Sequence, residues 1–126
     1  MASAWLIRRF IDPAATFVFV ERPAADDVPF DMYIGDFSHH GNSCTFEVLA
    51  RQFRITIVAV RRIAEIVHDL DMRDNRYGAA EAAAVGRMVD GLRQLHADDA
   101  ALLEQGIAMF EALARSFGTS HVKGRP

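Results

Sequence analysis

From Phe46 onward the apolar positions recur with a helical period. Phe46, Leu49, Ala50 and Phe53 fall at i, i+3, i+4 and i+7 and predict a first helix. Thr45 or Ser43 can cap it, and Glu47 sits in its first turn, near the positive end of the helix dipole. A second helix is expected from about Thr56, its N-cap, with Ile57, Val60, Ile63, Ala64 and Val67 as the buried stripe. His68 lies at the margin of that stripe, and Asp71 would fall on it if the helix ran so far. A third runs from Ala79 to Leu95 with Ala84, Val85, Met88, Leu92 and Leu95 inward. Asp98 caps a fourth, whose stripe is Leu103, Ile107, Phe110, Ala114 and Phe117, and Gly118 closes it.

Before Phe46 the pattern changes. Thr16 to Val20 is β-branched and aromatic and reads as a strand, and Phe30 to Ile34 alternates like a second short one. Trp5 to Phe10 fits either a short strand or a helical turn, and Asp12-Pro13 breaks it. The expected fold class is α+β and predominantly helical: a short N-terminal β element followed by about four helices in a small bundle. One domain is expected over residues 1–118, with residues 119–126 as a mobile tail.

Composition narrows the partners. At 126 residues, 51% hydrophobic and 25% charged, the chain is ordinary for one globular domain with a real core. A net charge of -3 argues against direct DNA binding by this chain alone. The lone cysteine excludes an internal disulfide, and no apolar run approaches the roughly 20 residues needed to cross a bilayer. No membrane partner is therefore expected, and cytoplasm is the default location. Homo-oligomerisation is left open.

The candidate chemistry is concentrated in Ser38 to Glu47, which holds His39, His40, Cys44 and Glu47, two of the five histidines and the only cysteine. A second polar group, His68-Asp69-Leu70-Asp71, ends the second helix. Short connections make neighbouring helices antiparallel, so Glu81, on the apolar side of the third helix's first turn, begins close to His68 and Asp71. An inward carboxylate needs a partner. These residues predict a metal-binding group of His39, Glu47 and His68, with Asp71 and Glu81 as further ligands or supporting partners. Imidazole with carboxylate suits a divalent transition metal such as zinc, iron or manganese, and a participating Cys44 would favour zinc. Each residue also has a plain structural use: loop histidines are solvated, a lone cysteine is buried and inert, Glu47 favours a helix start and His68 a helix end. Glu65 and His68 have the spacing of carboxylate-bridged di-iron helices, but no second copy exists and Glu65 points away from the stripe. His96 and Asp99 fall at the far end of the third helix, about 20 Å away at 1.5 Å per residue. Arg8 and Arg9 are the natural contacts for an oxyanion, because a guanidinium fork matches tetrahedral oxyanions.

Five segments carry a resemblance. Trp-Leu-Ile-Arg-Arg-Phe-Ile-Asp-Pro at 5–13 comes first, followed by Pro29-Phe30-Asp31. His39-x-Gly41-x-x-Cys44-Thr45-Phe46-Glu47, Ile66-Val67-His68-Asp69-Leu70-Asp71 with Asp74, and His96-Ala97-Asp98-Asp99 follow in order. Together they resemble the C-terminal domain family of the bacterial chromate-resistance protein ChrB. The resemblance implies a role in lowering chromate sensitivity, of a regulatory or sensing kind. Two functional classes follow: a metal- and/or oxyanion-binding regulatory or sensing domain, or a metal-dependent enzyme. The enzyme would be an oxidoreductase or hydrolase using an open coordination position on the His/carboxylate site.

Overall fold

A computed structural model describes residues 1–19 and 44–118, and every regular element among them is helical. The first, α1 (Ala2–Leu6), passes without a break into a π-helical turn (Ile7–Ile11). Trp5 to Phe10, which the pattern left between strand and helix, is therefore helical. Asp12 ends it in extended backbone, as expected of a residue before proline, and its carboxylate accepts the Ala14 N–H at 3.0 Å. Four longer helices follow: α2 (Thr45–Gln52), α3 (Val58–Met72), α4 (Ala82–Leu95) and α5 (Asp99–Phe117).

The β element is a correction. No strand occurs among the described residues, and Thr16 to Phe19 is irregular, with Val18 59% and Phe19 54% exposed. β propensity reflects the fit of side chains to a paired, half-buried sheet surface, and no strand among the described residues supplies one. The second expected strand, Phe30 to Ile34, and the tail at 119–126 lie outside the described residues.

α3 is the central helix. It packs on α2, α4 and α5, while α1 lies across α2 and α5. Val60, Ile63 and Ile66 of α3 meet Trp5 and Leu6 of α1 and Phe46 and Leu49 of α2 in one core, each 2% exposed or less. The Trp5 and Phe46 rings stack nearly parallel at 6.3 Å, with Phe10 edge-on to Trp5 at 5.7 Å. The indole N–H donates to Glu111 Oε1 at 2.9 Å, tying α1 to α5. Gly106 of α5 lets the Met1 side chain lie close against the helix, where an added Cβ would force that side chain to shift.

The helix ends agree with the local signals in part. Asp98 caps α5 by accepting the Ala101 N–H at 2.8 Å, and Gly118 stops it at φ +88°. The caps of α2 and α3 are Cys44 and Ile57 rather than Ser43, Thr45 or Thr56. α4 is turned relative to expectation. Val85 is buried, but Ala84, Met88 and Leu95 face outward, and Ala82, Val85 and Val89 form the inward line. No described helix is long and apolar enough to cross a membrane.

Candidate metal centre

The site is built where the start of α2 meets the end of α3. Cys44, in extended backbone, is the N-cap of α2, and the Glu47 carboxylate turns back to accept its N–H at 2.9 Å. The Cys44 sulfur faces the Glu47 N–H, so the pair forms a capping box with sulfur in place of the usual hydroxyl. This local folding fixes both side chains at the same helix end.

His68, one turn from the end of α3, is completely buried. Its Nδ1 lies 2.6 Å from Glu47 Oε1, and its Nε2 lies 3.1 and 3.0 Å from the two oxygens of Asp74. Asp74 comes from the connection after α3, where Arg73 and Asn75 both take the left-handed conformation, at φ 54° and 52°. Asp69 pins the same connection, its two oxygens accepting the Tyr77 N–H at 3.0 Å and the Ala79 N–H at 2.8 Å. Tyr77 closes over the imidazole, ring edge to ring face at 5.1 Å, and its hydroxyl donates a long 3.4 Å bond to Glu47 Oε2.

The electrostatics follow from that enclosure. Burial pushes the Cys44 thiol up to about 12, so it is protonated and unreactive without a cation beside it. Burial also opposes charge on Glu47, but the bonds from His68 and Cys44 outweigh it and hold the carboxyl below its usual range. For His68, burial favours the neutral ring, yet the bonds to Glu47 and Asp74 prevail and raise its pKa. Asp74 is lowered, first by its hydrogen bond with His68. In this state the imidazole donates from both nitrogens to two carboxylates.

Of the residues expected at the site, Glu47 and His68 are brought into contact. One ligand atom each from Cys44, Glu47 and His68 lie within 4.8 Å of one another. Asp71 is exposed on the last turn of α3, with its charge felt at Cys44. Glu81 is the N-cap residue of α4, and its carboxylate is held by Arg62 at 2.9 Å. Arg62 in turn lies over the Phe117 ring at 4.7 Å, and its pair with Glu81 lies at the surface, so the carboxylate expected to face inward is held by an exposed guanidinium. His39 and His40 lie outside the described residues. Arg8 and Arg9 lie in the π turn against α5, where Arg8 binds both oxygens of Glu104 at 2.8 and 2.9 Å and Arg9 approaches Glu111 at 3.4 Å. His96 ends α4, and Asp99 opens α5. Asp74 and Tyr77 were not picked out as site residues by pattern. The available signal was their place in the charged connection that follows His68 and, for Asp74, its place in the family resemblance.

Comparison with known proteins places the chain. The family described as ChrB, C-terminal domain, matches residues 1–117, and the chain belongs to that family. Protein ChrB of Cupriavidus metallidurans is 35% identical over 123 residues. That match covers 94% of this chain and 37% of the relative, so the chain spans little more than a third of that protein's length. No solved structure matches.

Proposed function

We propose that this domain acts in chromate resistance as a metal-binding sensory or regulatory domain. The observation that carries the reading is the fully buried His68 held between Glu47 and Asp74 with the Cys44 thiol alongside. Imidazole, carboxylate and thiolate are the donors that divalent transition metals select. The contact between His68 and Asp74 also ties these donors to the surface connection between α3 and α4. Filling the site therefore alters a surface segment, which is what a sensing domain requires. An oxyanion at Arg8 or Arg9 would lie beside the Glu104 and Glu111 carboxylates, whose charge opposes it, so the metal is the better supported ligand.

The test is metal stoichiometry on the full chain after removal of adventitious metal. Zinc, ferrous iron and manganese are titrated in turn against a chromophoric chelator. One ion per chain is expected for the wild type. His68→Ala and Glu47→Gln should each lose it, while His96→Ala, at the other end of α4, should keep it. Wild-type protein that retains no more metal than the His68→Ala/Glu47→Gln double variant would overturn the reading.

A further inference from the structure

We infer that Cys44, Glu47 and His68 are the three protein ligands of one thiophilic divalent-metal centre, with Asp74 as the residue that positions the imidazole. The inference rests on the metal-binding reading above and deepens it by naming the ligand set and the class of metal. It adds the cysteine, and it gives Asp74 a role distinct from ligation.

The geometry supplies the argument. Three ligand atoms of different chemistry lie within 4.8 Å of one another, all from rigid helix ends. Around a four-coordinate zinc, with bonds of about 2.0–2.3 Å, neighbouring ligand atoms stand about 3.3–3.6 Å apart. The His68 Nδ1 to Glu47 Oε1 distance of 2.6 Å must then open by roughly 0.7 Å as a cation replaces the shared proton. Movements of this size are within the reach of side-chain torsions and need no rearrangement of α2 or α3. Cys44 is fully buried, and its sulfur faces the N–H groups at the start of α2, so a metal-bound thiolate there is shielded and dipole-stabilised.

Asp74 decides which nitrogen binds. Both its oxygens lie against Nε2, at 3.1 and 3.0 Å, so it holds the remaining ring proton there and directs the Nδ1 lone pair toward Cys44 and Glu47. This is the carboxylate–histidine–metal arrangement, in which the outer carboxylate orients the ring and raises its basicity. Binding releases the thiol proton and the Nδ1 proton to the buffer. Three protein donors including a thiolate favour zinc or cobalt over magnesium or manganese, and they leave a fourth position for water or an exogenous donor.

Cobalt(II) is the probe, added to metal-free full-length chain and read by absorption. The expected spectrum shows a thiolate-to-cobalt charge-transfer band with tetrahedral d–d bands. Cys44→Ser, which preserves the helix cap, should abolish the charge-transfer band and weaken zinc binding by more than about 100-fold. Asp74→Asn should keep that band but weaken binding by about 10–100-fold. In the zinc-loaded wild type, nitrogen-15 spectra should show His68 ligated at Nδ1 and protonated at Nε2, a preference that Asp74→Asn weakens. Cobalt bound without the band, with Cys44→Ser binding as tightly as the wild type, would overturn the cysteine ligand and leave the metal-binding reading standing. Unchanged zinc affinity and an unchanged tautomer in Asp74→Asn would overturn the positioning role. A wild-type chain that binds neither cobalt nor zinc would overturn both this inference and the reading beneath it.

Discussion

His68→Ala in metal-free protein is the perturbation that most directly probes the buried pair. The ring is completely buried, and its loss leaves Glu47, whose side chain is only 16% exposed, without its cationic partner. Truncating one member of a buried pair costs about 3–5 kcal/mol, because the other charge stays behind. Glu47 keeps two donors, the Cys44 N–H at 2.9 Å and the Tyr77 hydroxyl at 3.4 Å, which places the loss near the lower bound, about 3 kcal/mol. At about 4 °C per kcal/mol for a domain of this size, the unfolding midpoint should fall by about 12 °C. The pH dependence has a definite sign. The pKa of His68 is raised above 6.5, so its contribution is complete below that value and is lost as pH rises through the folded-state pKa. The pKa of Glu47 is lowered from 4.5, so its contribution is present above that value and is lost as pH falls through the folded-state pKa. The gap between wild type and variant should thus be widest from pH 4.5 to 6.5 and narrow on the alkaline side. Circular dichroism melts across pH, with a chelator present, measure it. A loss under about 1 kcal/mol, or a gap that widens toward high pH, would show that His68 is not a buried imidazolium.

Two further outcomes are expected. Phe46→Ala removes a fully buried ring stacked on Trp5 and should cost about 3–5 kcal/mol in urea unfolding, with a changed emission from the only tryptophan; a loss below about 2 kcal/mol would mean the core collapses into the space. Asp69→Asn leaves the Tyr77 or the Ala79 N–H without its carboxylate acceptor, so amide exchange at those two positions should speed up and zinc affinity should drop by about tenfold. Unaltered exchange at both amides would refute the pinning role.

The legible parts of the fold were those in which local chemistry points one way. α2, α3 and α5 each carry large apolar residues on one face and polar ones opposite, and Asp98 and Gly118 mark the ends of α5 by chemistry that depends on little else. α4 was harder. Ala79, Ala80, Ala82, Ala83 and Ala84 are apolar in every direction, so the pattern could not choose a face, and packing on α3 and α5 chose Ala82, Val85 and Val89. Thr16 to Phe19 failed for the opposite reason: β composition is strong there, but it specifies a strand only beside a paired neighbour, and none occurs among the described residues. The meeting of Glu47 and His68 was readable because it follows from pairing consecutive helices. The capture of Glu81 by Arg62 was not, because it depends on how far α4 is turned about its axis.

Asp74 stood in the sequence only as part of the family resemblance, and its place at the site was hidden for a reason that bears on how the site works. Its carboxylate reaches His68 from between Arg73 and Asn75, both in left-handed backbone, a conformation that asparagine tolerates but arginine does not advertise. Such conformations persist when the surroundings over-determine them. Here the surroundings are Asp69, which takes two N–H groups of the same connection, and His68, which takes Asp74 itself. Both belong to the last turns of α3. The turn that presents the imidazole is therefore hydrogen-bonded to the segment that closes over it. An ion bound at Nδ1 would change the charge that Asp74 faces across the ring. The three-residue segment Arg73 to Asn75, left-handed at both ends, faces that change, so the connection between α3 and α4 is the part of this domain through which occupancy of the site would be felt at the surface.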